Sequence, residues 1–317
     1  MHSPSRNVTG RLSGHFWTVV QPWHRKRPAH EACGWSTTVE DHQLGRVALS
    51  GALWDDETTD HLVVLVHGMG GHANSAYMHP AARHIEMRHL ACLRLNLRGA
   101  DRSGEDMYHS GLTSDLHAAL ADPSLKRFRH ISIIGFSLGG HMVLKFATEH
   151  HDARVRGVVA ISAPLDLDRV AYHLDRPSLW PYRRYLLAAV TEIYAAVSQR
   201  RRMPISLTEV KRTRSVRRWD NLVLVPRYGF KNAEDYYAQM SVGTRLSTLR
   251  VRALLVHSEN DPLVPHESLV EALGCASPLL DVRVQQGGGH VNFPSRFDLG
   301  ESAPRGLFPQ ILQWCHT

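Results

Sequence analysis

The segment Ile131-Ser-Ile-Ile-Gly135-Phe-Ser137-Leu-Gly139-Gly140-His-Met-Val-Leu144 constrains the fold more than any other stretch of this chain. A β-branched apolar run breaks at Gly135, presents a serine, and passes through two glycines into helix-forming residues. That reads as strand, sharp turn and helix. Gly135 and Gly139, two residues to either side of Ser137, supply the lack of bulk such a turn needs where strand and departing helix crowd together. Ser137 is thereby expected at the carboxyl end of a strand, near the N–H groups and positive dipole end of a helix, where developing negative charge is favoured. A five-residue pattern of this kind also arises by chance in ordinary turns. The rest of the chain must supply the partners of a reactive serine.

Other apolar runs share the strand character. His61-Leu-Val-Val-Leu-Val66 is continuous, as in strands covered on both faces, and ends in His67-Gly68-Met69-Gly70-Gly71. A helix capped by Asn74 or Ser75 and running to about His89 should follow, then a strand from Ala91 to Leu97, a polar loop, and a helix starting at Thr113. Val155–Pro164, Arg252–Asp261 and Leu280–Gln286 are again strand-like, with helices expected at His266–Leu273 and Leu307–Trp314. Alternation between Trp35 and Trp54 reads as two antiparallel edge strands joined near Gly45. Strands and helices that alternate in this way build a mainly parallel α/β sheet with helices on both faces.

The alternation stops at about Asp166 and resumes at about Arg252. Leu186, Leu187, Val190, Ile193, Tyr194 and Val197 follow a helical period, so residues 166–250 read as a helical cap insertion. Residues 1–34, polar and proline-containing, read as an arm lying on a domain that spans 35–317.

At 317 residues the chain can bury a substantial core. No apolar run approaches the roughly 20 residues that span a bilayer, and the N-terminal residues lack the apolar core of a secretory signal, so the expected location is cytoplasmic. Cys33, Cys92, Cys275 and Cys315 are scattered without close pairing, which argues for buried thiols and against a disulfide framework or zinc site. His79, His84 and His89 recur every five residues, a spacing that leaves one helical face, so no metal is expected there. A net charge of +7 without a recognisable module does not suggest nucleic-acid binding.

A serine hydroxyl needs a base to take its proton and a third group to orient that base. His290, which follows a strand and Gly287-Gly-Gly289, is the candidate base. Asp261, at the end of the 252–261 strand, is the candidate acid, ahead of Asp166 and Glu259. It could instead cap the helix at His266. An oxyanion formed at the substrate carbonyl needs backbone donors, which Leu138 N–H and Met69 N–H would supply. No cofactor is required.

The order Ser137, Asp261, His290, each at a strand's carboxyl end, resembles the α/β-hydrolase superfamily over residues 35–317. Tyr108-His-Ser-Gly-Leu-Thr-Ser-Asp-Leu, Arg217-Arg-Trp-Asp220, Tyr228–Tyr237 and Gly288-Gly-His-Val narrow the resemblance to the YheT group, which includes ABHD-type esterases. The resemblance implies a serine hydrolase acting on carboxylic esters of small molecules or lipids through an acyl-enzyme. In that scheme Ser137 is the nucleophile, Asp261 the acid and His290 the base, with Met69 and Leu138 as oxyanion donors. Acyl transfer on the same groups and a non-catalytic ligand sensor are the alternatives. Asn292 stands where a glycine is expected, and Asn96-Leu-Arg98-Gly99 departs from the group's usual context, so substrate preference does not carry over. The cluster Arg200, Arg201, Arg202, Lys211, Arg212, Arg214, Arg217 and Arg218 reads as a solvated cap surface or as weak attraction to an anionic membrane. The sequence gives no sign of oligomeric state.

Overall fold

The computed structural model describes residues 4–19, 32–149 and 152–316. Eight strands form one sheet: β1 (Cys33–Asp41), β2 (Gly45–Trp54), β3 (His61–Val66), β4 (Ala91–Asn96), β5 (His130–Phe136), β6 (Val155–Ile161), β7 (Ala253–Ser258) and β8 (Leu280–Gln285). Their spatial order is β1-β2-β4-β3-β5-β6-β7-β8. β1 and β2 pair antiparallel, β2 runs antiparallel to β4, and all later pairings are parallel. The fold is therefore the α/β arrangement expected, with its antiparallel hairpin at one edge.

The period-two alternation of the strands divides the core into two layers. Leu62, Val64, Val66, Ile133 and Val158 face one side, where they meet helices α3 (Ser114–Ala121) and α4 (Leu138–Glu149). Val63, Leu65, Ile134 and Val159 face the other, against α2 (Met78–Glu86) and α11 (Leu307–His316). Burial on both faces explains why β3 reads as a continuous apolar run.

Between β6 and β7 lie five helices: α5 (Leu167–Leu174), α6 (Trp180–Ser198), α7 (Leu207–Arg212), α8 (Val216–Tyr228) and α9 (Ala233–Met240). Each starts or stops on ordinary signals. Ser206, Ser215 and Asn232 cap α7, α8 and α9 through their side chains, and Gly229 ends α8 in the left-handed conformation.

Four expectations need refinement or correction. The region read as an arm lying on the domain contains helix α1 (Pro4–Val19), an element the sequence reading did not place. Its packed face is built from Gly10, Gly14 and Thr18, so no apolar residue marks the side that meets the domain. The segment Gln21–Pro28 lies outside the described residues. Helix α2 begins at Met78 instead of Asn74 or Ser75, because Ser75 Oγ accepts the His72 N–H and closes a turn first. The helix expected at 266–273 is a short 3₁₀ turn, His266–Ser268, followed by one turn of helix, α10 (Val270–Leu273). Cys92 and Cys315 are buried thiols as expected, but Cys33 and Cys275 are exposed.

Candidate active site

The turn after β5 is as tight as its glycines imply. A Cβ on Gly135 would lie 2.2 Å from the Gly139 carbonyl oxygen, and one on Gly139 would lie 2.4 Å from that of Val66. Ser137 itself has φ of 53°, a left-handed conformation that costs a β-substituted residue energy and is held by its surroundings. Its N–H donates to the Ile161 carbonyl on the neighbouring strand (2.8 Å). Leu138 is the first residue of α4, so its N–H has no acceptor within the helix.

His290 reaches Ser137 from the loop after β8. Its Nε2 lies 2.7 Å from Ser137 Oγ, and its Nδ1 lies 2.8 and 3.0 Å from the two carboxylate oxygens of Asp261. Because a carboxylate only accepts, Nδ1 carries the proton and Nε2 is left as the acceptor for the serine hydroxyl. Asp261 is buried at the end of β7 and also accepts the N–H groups of Leu263 (2.8 Å) and Val264 (3.1 Å). Burial alone would raise its carboxyl. The adjacent His290, the nearby His257 and the Val264 N–H outweigh that effect and hold it below the ordinary value, as a carboxylate.

The competing acids are elsewhere. Asp166 caps α5, accepting the Arg169 N–H (3.0 Å) and pairing with its guanidinium, and Glu259 is exposed. His79, His84 and His89 are separately engaged with Arg94, the Pro80 carbonyl and Asp56. Among the described residues no group of three or more His, Cys, Asp or Glu side chains could hold a metal.

The glycine loop after β3 is fixed from three sides. His67 accepts the Leu97 N–H at Nε2 (3.0 Å), so its Nδ1–H donates to the Gly68 carbonyl (2.8 Å). Burial pushes this imidazole down to about 4, which keeps it neutral. The Gly68 N–H donates to Tyr77 Oη (2.9 Å) and the Gly70 N–H to Tyr108 Oη (2.7 Å). The two N–H groups flanking Met69 are thus committed to the phenols of half-buried Tyr77 and buried Tyr108. Neither tyrosine was singled out as a site residue in the sequence, although Tyr108 opens one of the motifs quoted above.

The His290 loop has a support that the sequence does not announce. Thr18 Oγ1 on α1 accepts the His290 N–H (2.9 Å), and the helix seats so closely that a Cβ on Gly289 would lie 2.5 Å from Thr18 N. Asn292, the departure noted above, uses its backbone carbonyl to accept the Gly289 N–H (2.9 Å), which any residue could do.

Ser137, Leu138, Met69 and His290 open onto one pocket, whose walls are mainly apolar: Leu167, Val170, Leu174, Leu186, Val190 and Ile193 come from the insertion. Trp219, Asp220 and Tyr237 line it as well. Asp220 accepts a hydrogen bond from Tyr237 Oη (2.5 Å), and burial pushes its carboxyl up to about 7.

A parallel sheet with a serine elbow, a histidine loop at the far strand and a helical insertion above them defines the α/β-hydrolase class. The chain belongs to that family: the description "alpha/beta hydrolase fold" matches residues 61–296. More narrowly, it is similar to YheT of Escherichia coli strain K12, assigned as an esterase, with 30% identity over 241 residues, 73% of this chain and 70% of YheT. It is also similar to the monoacylglycerol lipase of Saccharomyces cerevisiae, with 26% identity over 248 residues, 73% of this chain but only 54% of the yeast protein. An esterase of Pyrococcus furiosus shares the fold, with a TM-score of 0.54 and 18% identity over 86% of this chain and 89% of that one.

Proposed function

We propose that this chain is a serine hydrolase that cleaves carboxylic esters, with Ser137 as nucleophile, His290 as general base and Asp261 as the group that orients the imidazole. The observation that carries the reading is the 2.7 Å approach of His290 Nε2 to Ser137 Oγ while Asp261 occupies Nδ1. The kinship with proteins named as an esterase and a monoacylglycerol lipase supports the same reaction class.

In this scheme the Ser137 hydroxyl attacks the ester carbonyl as its proton passes to Nε2. The resulting oxyanion faces the N–H groups of Leu138 and Met69. Loss of one such donor commonly costs on the order of 100 to 1,000-fold in rate. The imidazolium, stabilised by the Asp261 carboxylate, then protonates the departing alcohol and leaves an acyl-serine. Water activated by His290 releases the acid and restores the enzyme. The apolar walls contributed by α5 and α6 accept the acyl chain, so the substrate class is an ester of an apolar acid, from small aryl esters to lipids. The insertion at 166–250 acts in this reading as the cap of a domain spanning 35–317, and the protein works in the cytoplasm.

Labelling with a fluorophosphonate probe tests the assignment. Wild type is expected to label and to hydrolyse p-nitrophenyl esters, and Ser137→Ala to do neither while retaining its fold. A wild-type protein that resists the probe would favour the sensor alternative. Labelling that persists in Ser137→Ala would mean that the nucleophile lies elsewhere.

A further inference from the structure

Helix α1 has two unlike faces. Gly10, Gly14 and Thr18 recur every four residues and press against the loops that hold the site: a Cβ on Gly14 would lie 1.8 Å from the Asn260 carbonyl oxygen, and Thr18 accepts the His290 N–H. Leu12, Phe16 and Val19, spaced by four and three, lie on the opposite side at 65%, 57% and 67% exposure. Three bulky apolar side chains on one solvent-facing stripe are costly in water and signal a contact surface.

The stripe is not isolated. His15 stacks on Tyr182 near the start of α6, with His15 Nδ1 2.9 Å from Tyr182 Oη. His15 also shares a cleft with Tyr172 and Arg176, and that cleft reaches Asp261. Tyr172, Trp180 and Tyr185, all more than half exposed, stand on this corner. Next to them, Arg183, Arg184, Lys211 and Arg214 line a groove with Trp180. Its one acidic side chain, Glu192, pairs with Arg102. Among the described residues those four cations make no ion pair with a carboxylate. In the sequence, Arg25-Lys-Arg27 follows α1 closely.

Leucine, phenylalanine and valine beside a rim of tryptophan and tyrosine, with cations next to the rim that have no carboxylate partner among the described residues, match a lipid surface in layers. The aliphatic and phenyl groups suit the acyl boundary, the amphipathic rings suit the headgroup level, and the cations suit anionic phosphates. A soluble protein partner would not require that order of chemistries. No helix among the described residues is long and apolar enough to cross a membrane.

We propose that α1 and the Tyr172–Tyr185 corner form a docking surface for an anionic lipid bilayer, holding the protein with its pocket beside the membrane. Only the link between docking and substrate supply rests on the function proposed above; the binding itself does not.

Flotation with phosphatidylcholine/phosphatidylglycerol vesicles, compared with phosphatidylcholine alone, tests it. Wild type and Ser137→Ala are expected to float equally with the anionic vesicles and to be released by salt. The triple variant Leu12→Ser/Phe16→Ser/Val19→Ser should lose partitioning by about tenfold or more, as should Arg184→Glu/Arg214→Glu, while both keep wild-type hydrolysis of a water-soluble aryl ester. Wild type that stays at the bottom of the gradient, or a triple variant that floats unchanged, overturns the proposal. So does a triple variant whose only change is conversion of a dimer to a monomer, since the stripe would then be a self-association face. An enzyme inactive on every ester that still floats would remove the proposed function and leave this surface standing.

Discussion

The carboxyl of Asp220 should make stability fall with rising pH, against the usual behaviour of an aspartate. It is buried on α8 within the pocket wall, which raises its pKa. Its Tyr237 hydrogen bond and the more distant Arg217 oppose that shift, Asp175 adds to it, and the balance is about 7 against an ordinary 3.8. Between about pH 4 and pH 7 the unfolded chain has released this proton and the folded chain still holds it. The folded state therefore binds more protons, and unfolding becomes easier as pH rises. At about 1.4 kcal/mol per pH unit the whole interval amounts to about 4 kcal/mol, and the part falling between about pH 5 and pH 8 is roughly 2–3 kcal/mol. Asp220→Asn is the matched perturbation: its side-chain oxygen still accepts from Tyr237, and it cannot ionise. Urea unfolding of both proteins across that pH range should give curves that diverge as pH rises, the variant gaining about 2–3 kcal/mol on wild type by about pH 8. Because Asp220 lines the pocket, the same titration places a charge beside the bound acyl group. The wild-type KM for an apolar ester should rise above about pH 7, with that of the variant staying flat. Parallel stability curves would mean that the folded carboxyl ionises at an ordinary pH, and would refute the reasoning.

Two groups outside the expected site residues carry further outcomes. Tyr108→Phe leaves the Gly70 N–H without its acceptor beside Met69, a loss of about 1–3 kcal/mol. It should lower kcat for ester hydrolysis by about tenfold with little change in KM, and an unchanged kcat would separate the Gly70 anchor from the donor role proposed for Met69 N–H. Arg227→Met withdraws a buried guanidinium that bonds Asp106 at Nε (2.8 Å) and Nη2 (2.6 Å) and Asp41 at Nη2 (3.1 Å). Thermal unfolding should reveal a cost of about 3–5 kcal/mol, and a variant with wild-type Tm would mean the pocket of charge relaxes around the loss.

The strands, their order of appearance and the serine turn were legible because each rests on local rules. A buried parallel strand must be apolar throughout, and a turn that brings Gly135 within reach of the Gly139 carbonyl tolerates no side chain. Ser137 and Asp261 could be picked out because each follows such a strand, and His290 because it follows the alternating, half-buried β8 and three glycines. Helix α1 was not legible as a packed element, since its contact face consists of glycines and a threonine chosen for closeness and not for apolar burial. The Tyr77 and Tyr108 anchors were hidden for another reason: each hydroxyl meets its N–H across chain separations of 9 and 38 residues, which no periodicity encodes. The positive charge of the insertion was read as one class, yet its members divide sharply. Arg217 is tied to Asp168 and Glu234, while Lys211 and Arg214 stand exposed along a groove.

The buried charges around Arg98 explain how the insertion keeps its seat over the sheet. Arg98, 1% exposed, bonds Asp41 (2.6 Å) and Asp106 (2.8 Å) through Nη1 and Asp115 (2.6 Å) through Nη2, and Arg227 of α8 joins the same Asp41 and Asp106. Well-packed apolar residues could fill this volume at no loss of stability. An apolar helix face, however, slides over its neighbour at little cost, and a guanidinium fork opposite a carboxylate has few acceptable positions. The segment that receives α8 is also the one that shapes the site. Gly99 admits the Asp106 carbonyl so closely that a Cβ would lie 2.1 Å from its oxygen, Tyr228 Oη of α8 donates to the Met107 carbonyl, and Tyr108 N–H donates to the Arg98 carbonyl (3.0 Å) before its phenol reaches Gly70. Residues 106–108 therefore meet the insertion with one end and the loop carrying the Met69 N–H with the other. A shift of α8 large enough to break the Arg227 fork has to move that segment, so a fixed seat for the insertion and a fixed donor beside Ser137 are the same structural requirement.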